Sequence, residues 1–187
     1  MRRQFETNVF GAIRMAQLAL PGMRTQHWGK IVNIGSMGGR LTFPGGGLYH
    51  ATKYALEALS DVLRFEVRGF GVDVVLIEPG LITTDFAQTS VATATDASAG
   101  DGTADEAYGE FNAKLGALTI GVYEGPMRHL GGGPDTVAKA IEKAISRRRA
   151  PTRVPVTASA RLSILQRRLL PDRAWDAAMR SQFPQPR

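Results

Sequence analysis

Two short runs of largely β-branched residues, Lys30-Ile31-Val32-Asn33-Ile34 and Val72-Asp73-Val74-Val75-Leu76-Ile77, constrain this chain more than any other feature. Their apolarity is continuous rather than alternating, which is the pattern of strands buried on both faces in a parallel sheet. Between them, Leu56, Leu59, Leu63, Val67 and Phe70 form one helical stripe, and Ala55, Ala58, Val62 and Phe65 form a neighbouring one. The segment from about Tyr49 to Gly69 therefore reads as a long helix. Strand, loop, long helix and strand make a right-handed βαβ crossover, and the class is α/β.

Other elements follow from the same periodicities. Val9, Ala12, Ile13, Ala16 and Leu20 predict a helix from Glu6 to Leu20, stopped by Pro21-Gly22, with Phe10, Met15 and Leu18 as a second apolar face. Gln88 to Gly102 carries almost no large apolar side chain and reads as a mobile loop, followed by short helices around Phe111, Leu115, Leu118 and Tyr123. Asp135 to Ser146 is a helix with proline near its start. Arg153-Val154-Pro155-Val156 is a last short strand whose proline suggests an edge. Arg161 to Met179 is helical, interrupted at Pro171.

At 187 residues the chain fits one domain, without an internal repeat or linker. It has no cysteine, hence no disulfide framework or thiolate metal site, and a reducing cytoplasm is the natural setting. No apolar run reaches membrane-spanning length, and no signal-peptide core follows Met1, so the chain reads as neither exported nor integral to a membrane. The net charge of +6 belongs to the tail: Arg147 to Arg187 carries ten arginines against two aspartates, and the first 146 residues are net −2. Nucleic-acid binding is not expected, since the tail has no recognition motif and only Trp175 and Phe183 as aromatics. Leu162, Leu165 and Leu169 at helical spacing leave contact with an anionic membrane surface as the alternative to a solvated basic face. His27, His50 and His129 share no metal-ligand spacing, so no metal site is expected.

Tyr49 and Lys53 stand four apart at the start of the long helix, on one face. A free tyrosine, with a pKa of ~10, is a poor acid or base at neutral pH. An ammonium ~4 Å away at an effective dielectric of ~20 is worth ~4 kcal/mol, enough to bring the phenol into working range. Ser36 lies just past the first strand, followed by Gly38 and Gly39, and Pro79-Gly80 with Thr83 and Thr84 lies just past the second. Strand ends facing a crevice are where open α/β sheets bind ligands.

These elements, Ile34-Gly35-Ser36, Tyr49-His50-Ala51-Thr52-Lys53 and Pro79-Gly80-Leu81-Ile82-Thr83-Thr84, with Asn8-Val9-Phe10-Gly11 upstream, resemble the short-chain dehydrogenase/reductase family from Asn8 to Phe86. The resemblance implies a Rossmann-type three-layer αβα parallel sheet, of which this chain holds the C-terminal portion. It implies an NAD(P)-dependent oxidoreductase interconverting alcohol and ketone or aldehyde, with NADP(H) favoured over NAD(H). Tyr49 would move the proton at the substrate oxygen and Ser36 would hold that oxygen. Lys53 would lower the Tyr49 pKa and bind the nicotinamide ribose, and Asn8 would position a water in a proton relay. Pro79, Gly80, Ile82 and Thr84 would line the nicotinamide, with a helix N-cap ahead of Asp85 and Phe86 as the alternative reading of Thr84. A homodimer or homotetramer packed through the Asn8 and Tyr49 helices is implied as well.

The Gly-rich pyrophosphate fingerprint and the Asn-Asn-Ala-Gly segment of that family are missing, and Gly45-Gly46-Gly47 opens no helix after a strand. The favoured reading is a portion of a longer polypeptide. The alternatives are a truncated, non-catalytic product or an interaction protein, either of which would expose an unpaired strand edge. Residues 87–130 occupy the place of the family's substrate lid, where Phe86, Tyr108, Phe111, Leu115, Leu118, Tyr123 and Met127 either line a pocket or cover the core. As a lid they would suit a hydrophobic alcohol or ketone, as in steroid- and retinol-type members. Residues 157–187 are expected as a basic extension.

Overall fold

The computed structural model describes residues 2–86, 88, 89, 92 and 104–185. Strand β1 (Gly29–Ile34) pairs in parallel with β2 (Val72–Glu78), Gly29 opposite Val72 and Ile34 opposite Ile77. On its other side β2 pairs in parallel with β3 (Arg153–Pro155), giving the order β1-β2-β3. β3 is an edge, as its proline requires, because Pro155 has no N–H to donate to a further strand.

Helices cover both faces, and the strand pleat decides which side chain faces which layer. The chain opens as α1 (Arg2–Phe5), widens into a π-helical turn over Glu6–Phe10, and continues as α2 (Gly11–Gln26). Ala16, Leu20 and Met23 of α2 pack with Leu63 and Val67 of α3 (Gly47–Val67) against Ile31, Val72 and Val74. The opposite face sets Val32, Val75, Ile77 and Val154 against Val137, Ile141 and Ala144 of α5 (Pro134–Ile145). Val75, Leu76 and Ile77 are fully buried, each such side chain contributing about 1.5–3 kcal/mol. Continuous apolarity in β2 thus reflects two covered faces. Helix α4 (Ala104–Glu124) precedes α5, and α6 (Ala158–Leu169) and α7 (Asp172–Gln182) follow β3, joined at Pro171.

Pro21-Gly22 does not end the first helix, which runs on to Gln26 and stops at His27 in the left-handed region (φ 51°). Pro21 lies on the exposed side, so the Gln17 carbonyl that loses its N–H partner there can be hydrated. Phe111, Leu115, Leu118 and Tyr123 lie on one long helix rather than several short ones. Most of the Gln88–Gly102 stretch, expected as a mobile loop, lies outside the described residues. No described helix is long and apolar enough to cross a membrane.

Candidate active site

The carboxyl ends of β1 and β2 are tied together: Gly35 N donates to Ile77 O at 2.8 Å and Met37 N to Pro79 O at 2.9 Å. This sets the Ser36 turn beside the Pro79-Gly80 turn. Ser36 is extended (φ −169°, ψ 157°) and its hydroxyl accepts from Gly38 N at 3.0 Å. The Tyr49 phenol, which α3 delivers from its first turn, lies near enough to the same hydroxyl for Ser36 to lower its pKa.

Lys53 lies one turn on, its Nζ 5.7 Å from the Tyr49 ring centre and donating to the Ile34 carbonyl at 2.9 Å. Burial pushes the Lys53 pKa down, since a desolvated ammonium is disfavoured. Burial also raises the Tyr49 pKa, against a smaller lowering by the Ser36 hydrogen bond. The direction is opposite to that expected from an adjacent ammonium: here the ammonium is turned to a backbone carbonyl, and desolvation of the phenol dominates.

Asn8 sits in the π-helical turn, where Gly11 N reaches back five residues to Glu6 O. Such insertions are frequent at functional sites. Its Nδ2 donates at 3.1 Å to the Thr52 hydroxyl, which in turn donates to Tyr49 O at 2.7 Å. The fully buried Thr52 thus couples Asn8 to the helical turn that carries Tyr49. Sequence reading passed over Thr52, although its place between Tyr49 and Lys53 on one helical turn is a signal.

His50 is buried. Its Nδ1 lies 2.9 Å from Gly38 O, and its Nε2 accepts from Phe43 N at 3.1 Å. Those partners fix an Nδ1-protonated neutral ring, in line with its pKa lowered by burial. It props the Ser36 loop against α3.

After β2, the isolated bridge Ile82–Gly132 and the bond from Thr83 N to Gly132 O at 2.9 Å hold the Pro79-to-Thr84 segment. Thr84 Oγ1 accepts from Phe86 N at 3.3 Å, so its hydroxyl is an N-cap here. The Phe86 ring lies 5.3 Å from that of Tyr49, and rings continue from Tyr49 through His50 (5.8 Å) and Phe43 (5.9 Å) to Phe183 (6.0 Å). Phe183 ends at an open cavity of about 760 Å³ that Leu118, Val122 and Met127 also line. Of the expected lid residues, Leu118 and Met127 therefore face this cavity, Leu115 is buried against Gly45, and Tyr108 meets Phe111 edge-on.

Residues from 157 onward are not detached from this site. A Cβ on Gly80 would lie 2.4 Å from both Ser159 Oγ and Thr157 Oγ1, and Leu81 N donates to Ser159 Oγ at 3.0 Å. Glycine is required because the N-terminus of α6 packs directly on the turn. Gly80→Ala should lower stability by ~1–3 kcal/mol through overpacking, read as a reduced urea midpoint with an unchanged slope; an unchanged midpoint would show that α6 moves freely.

Behind the site, Glu78 and Glu57 are buried together, and Arg40 and Arg153 approach them from two sides. Desolvation, and then the Glu57 carboxylate, push Glu78 up to about 7. Glu57 Oε1 is a buried oxygen with no hydrogen-bond partner among the described residues.

Known proteins match this chain in sequence and fold. The family model described as short chain dehydrogenase matches residues 1–95. An uncharacterized oxidoreductase of Bacillus subtilis, YusZ, is 32% identical over 183 residues, covering 97% of this chain and 62% of that protein. A short-chain dehydrogenase structure from Streptomyces avermitilis superposes with a TM-score of 0.63 at 30% identity, over 86% of this chain and 53% of that one. A serine dehydrogenase complexed with NADP+ gives 0.62 at 27%, over 82% and 53%. The chain thus spans little more than half the length of these proteins.

Proposed function

The chain belongs to the short-chain dehydrogenase family, and from that premise we propose that it carries the catalytic and substrate-binding portion of an oxidoreductase. The reaction is interconversion of a secondary alcohol and a ketone, or a primary alcohol and an aldehyde, with NAD(P)(H). The observation that carries this reading is the meeting of Ser36, Tyr49 and Lys53 beside the Pro79-Gly80 turn, with Lys53 Nζ 5.7 Å from the Tyr49 ring centre and Met37 N tying the Ser36 turn to Pro79 O.

The residues present fit the nicotinamide end of such a cofactor. The Lys53 ammonium, held by one carbonyl, has donors to spare. Nicotinamide supplies or accepts hydride when bound. In this reading the Ser36 hydroxyl holds the substrate oxygen and Tyr49 donates the proton to it in reduction, or takes it in oxidation. Lys53 stabilises the tyrosinate once its ammonium faces the phenol and a ribose. Asn8, fixed by Thr52, positions a water for proton return, and Pro79, Gly80, Ile82 and Thr84 line the nicotinamide. The substrate is hydrophobic, since the ring row from Phe86 to Phe183 leads from Tyr49 to an apolar cavity. Residues 87–130 act as its lid.

The exposed apolar faces of α2 (Met15, Leu18) and α3 (Val62, Phe65) favour a homodimer or homotetramer through those helices. A second reading, a non-catalytic interaction protein, is favoured by β1, whose outer edge pairs with no strand among the described residues. Fluorescence titration of the expressed protein with NADPH and NADH, followed by cofactor consumption with hydrophobic ketones and aldehydes, separates the two. Binding and turnover are expected; absence of binding to either cofactor selects the second reading.

A further inference from the structure

Helix α6 carries two features that hydride transfer does not use. The first is a pocket of about 230 Å³ between α6, α3 and the turn after β1, lined by Arg40, Tyr54, Ile164, Arg167 and Arg168. Arg167 is answered by Asp172 at 2.6 Å, while Arg40 reaches Glu57 and Glu78 only at 3.7 and 3.5 Å. Arg168 has no acidic partner among the described residues, and the half-exposed Tyr54 adds a hydroxyl donor. Three guanidinium groups around one small pocket repel one another, and an anion relieves that repulsion. Their forked donors match phosphate geometry.

The second feature is a ridge of leucines on the same helix. Leu162, Leu165 and Leu169 are 48%, 50% and 71% exposed, at spacings that place them in one stripe. At 100° per residue Arg168 stands about 60° from Leu165 around the helix, so the pocket's rim adjoins the ridge. Ala160 is fully buried on the opposite side of the helix, at the Pro-Gly turn, which fixes the ridge outward. Apolar side chains bordered by arginines match an interface whose surface is anionic and whose interior is hydrocarbon, and soluble surfaces rarely keep such ridges bare. The tail is also the only strongly cationic portion of the chain, at +8 over residues 147–187.

We propose that α6 docks the protein on an anionic phospholipid surface. A headgroup phosphate occupies the Arg40, Tyr54, Arg167 and Arg168 pocket, and Leu162, Leu165 and Leu169 enter the headgroup–acyl boundary. This revises the solvated basic face favoured by sequence, because it takes the structure to show the pocket and the ridge side by side. The inference does not depend on catalysis.

Co-sedimentation of the expressed protein with vesicles of phosphatidylcholine alone, or with phosphatidylglycerol added, is the test. Binding to the anionic vesicles only, weakening as salt is raised, is expected. Arg168→Glu reverses one charge, worth roughly a 30-fold loss of vesicle affinity, and Leu165→Asp should lose about tenfold; both positions are exposed, and unchanged melting temperatures confirm folding. Equal binding to neutral vesicles, or full binding by either variant, overturns the proposal. So does titratable binding of inorganic phosphate without vesicle binding, which makes the pocket a site for a free anion. A shifted size-exclusion elution of Leu165→Asp without vesicle binding also overturns it and assigns the ridge to a second copy of the chain.

Discussion

Tyr49→Phe is expected to lower kcat of the expressed protein by about 1,000-fold or more while leaving NADPH and NADH affinity within about twofold, since general acid–base transfer contributes roughly 10²–10⁴-fold. Phenylalanine keeps the ring that packs on Phe86 and His50 at 5.3 and 5.8 Å, so the α3 turn and the Ser36 loop should hold their places. What is lost is the hydroxyl facing Ser36, the group proposed to exchange a proton with the substrate oxygen. Ser36 remains in the variant but is too weak an acid to replace it. Steady-state kinetics with a reactive ketone, together with cofactor titration, check the outcome. Turnover within tenfold of wild type would sink the proton-transfer role.

The working pH of the proposed reaction depends on the direction of the Tyr49 pKa. Burial raises it in the chain as it stands, so a working pH near neutrality needs the Lys53 ammonium released from the Ile34 carbonyl or shared with it. Lys53→Met should therefore push the acidic-to-basic transition of kcat/KM upward in pH, because the phenol loses the ammonium one helical turn away.

The fold was legible where one element carries its own pattern. β1, β2 and α3 announce themselves through continuous β-branched runs and a helical stripe, and Ser36, Tyr49 and Lys53 fall at element ends that these three define. What sequence could not show depends on partners far apart in the chain. Thr52 matters through Asn8, 44 residues away. Arg153 looked like one more charge of a basic tail, yet it reaches Glu57 across 96 residues and Asp61 across 92. Ser159 and Thr157 looked like an extension, yet they pack on Gly80. Pro21 failed as a stop signal because its exposed position lets water replace the missing bond.

Arg153→Leu should destabilise the protein by ~3 kcal/mol near pH 8, and by clearly less near pH 5, read from urea unfolding at the two pH values. Arg153 bonds Glu57 at 3.0 Å and Asp61 at 2.6 Å and lies 3.8 Å from Glu78, so its removal leaves two nearly buried carboxyls facing only the more distant Arg40. The pH dependence follows from Glu78. Its pKa in the folded chain, about 7, is above the ordinary 4.5, so the folded state holds the proton more tightly than the unfolded one. Stability from this group is fully present below about pH 4.5 and is lost as pH rises through 7. Arg153 is one of the groups lowering that pKa, so without it the pKa rises further and the loss extends to higher pH. Glu78→Gln, which cannot ionise, should flatten the slope between pH 5 and 8 and rescue much of the Arg153→Leu loss at pH 8. An Arg153→Leu destabilisation independent of pH, or unaffected by Glu78→Gln, would assign the cost to lost packing at β3 rather than to the carboxyl pair.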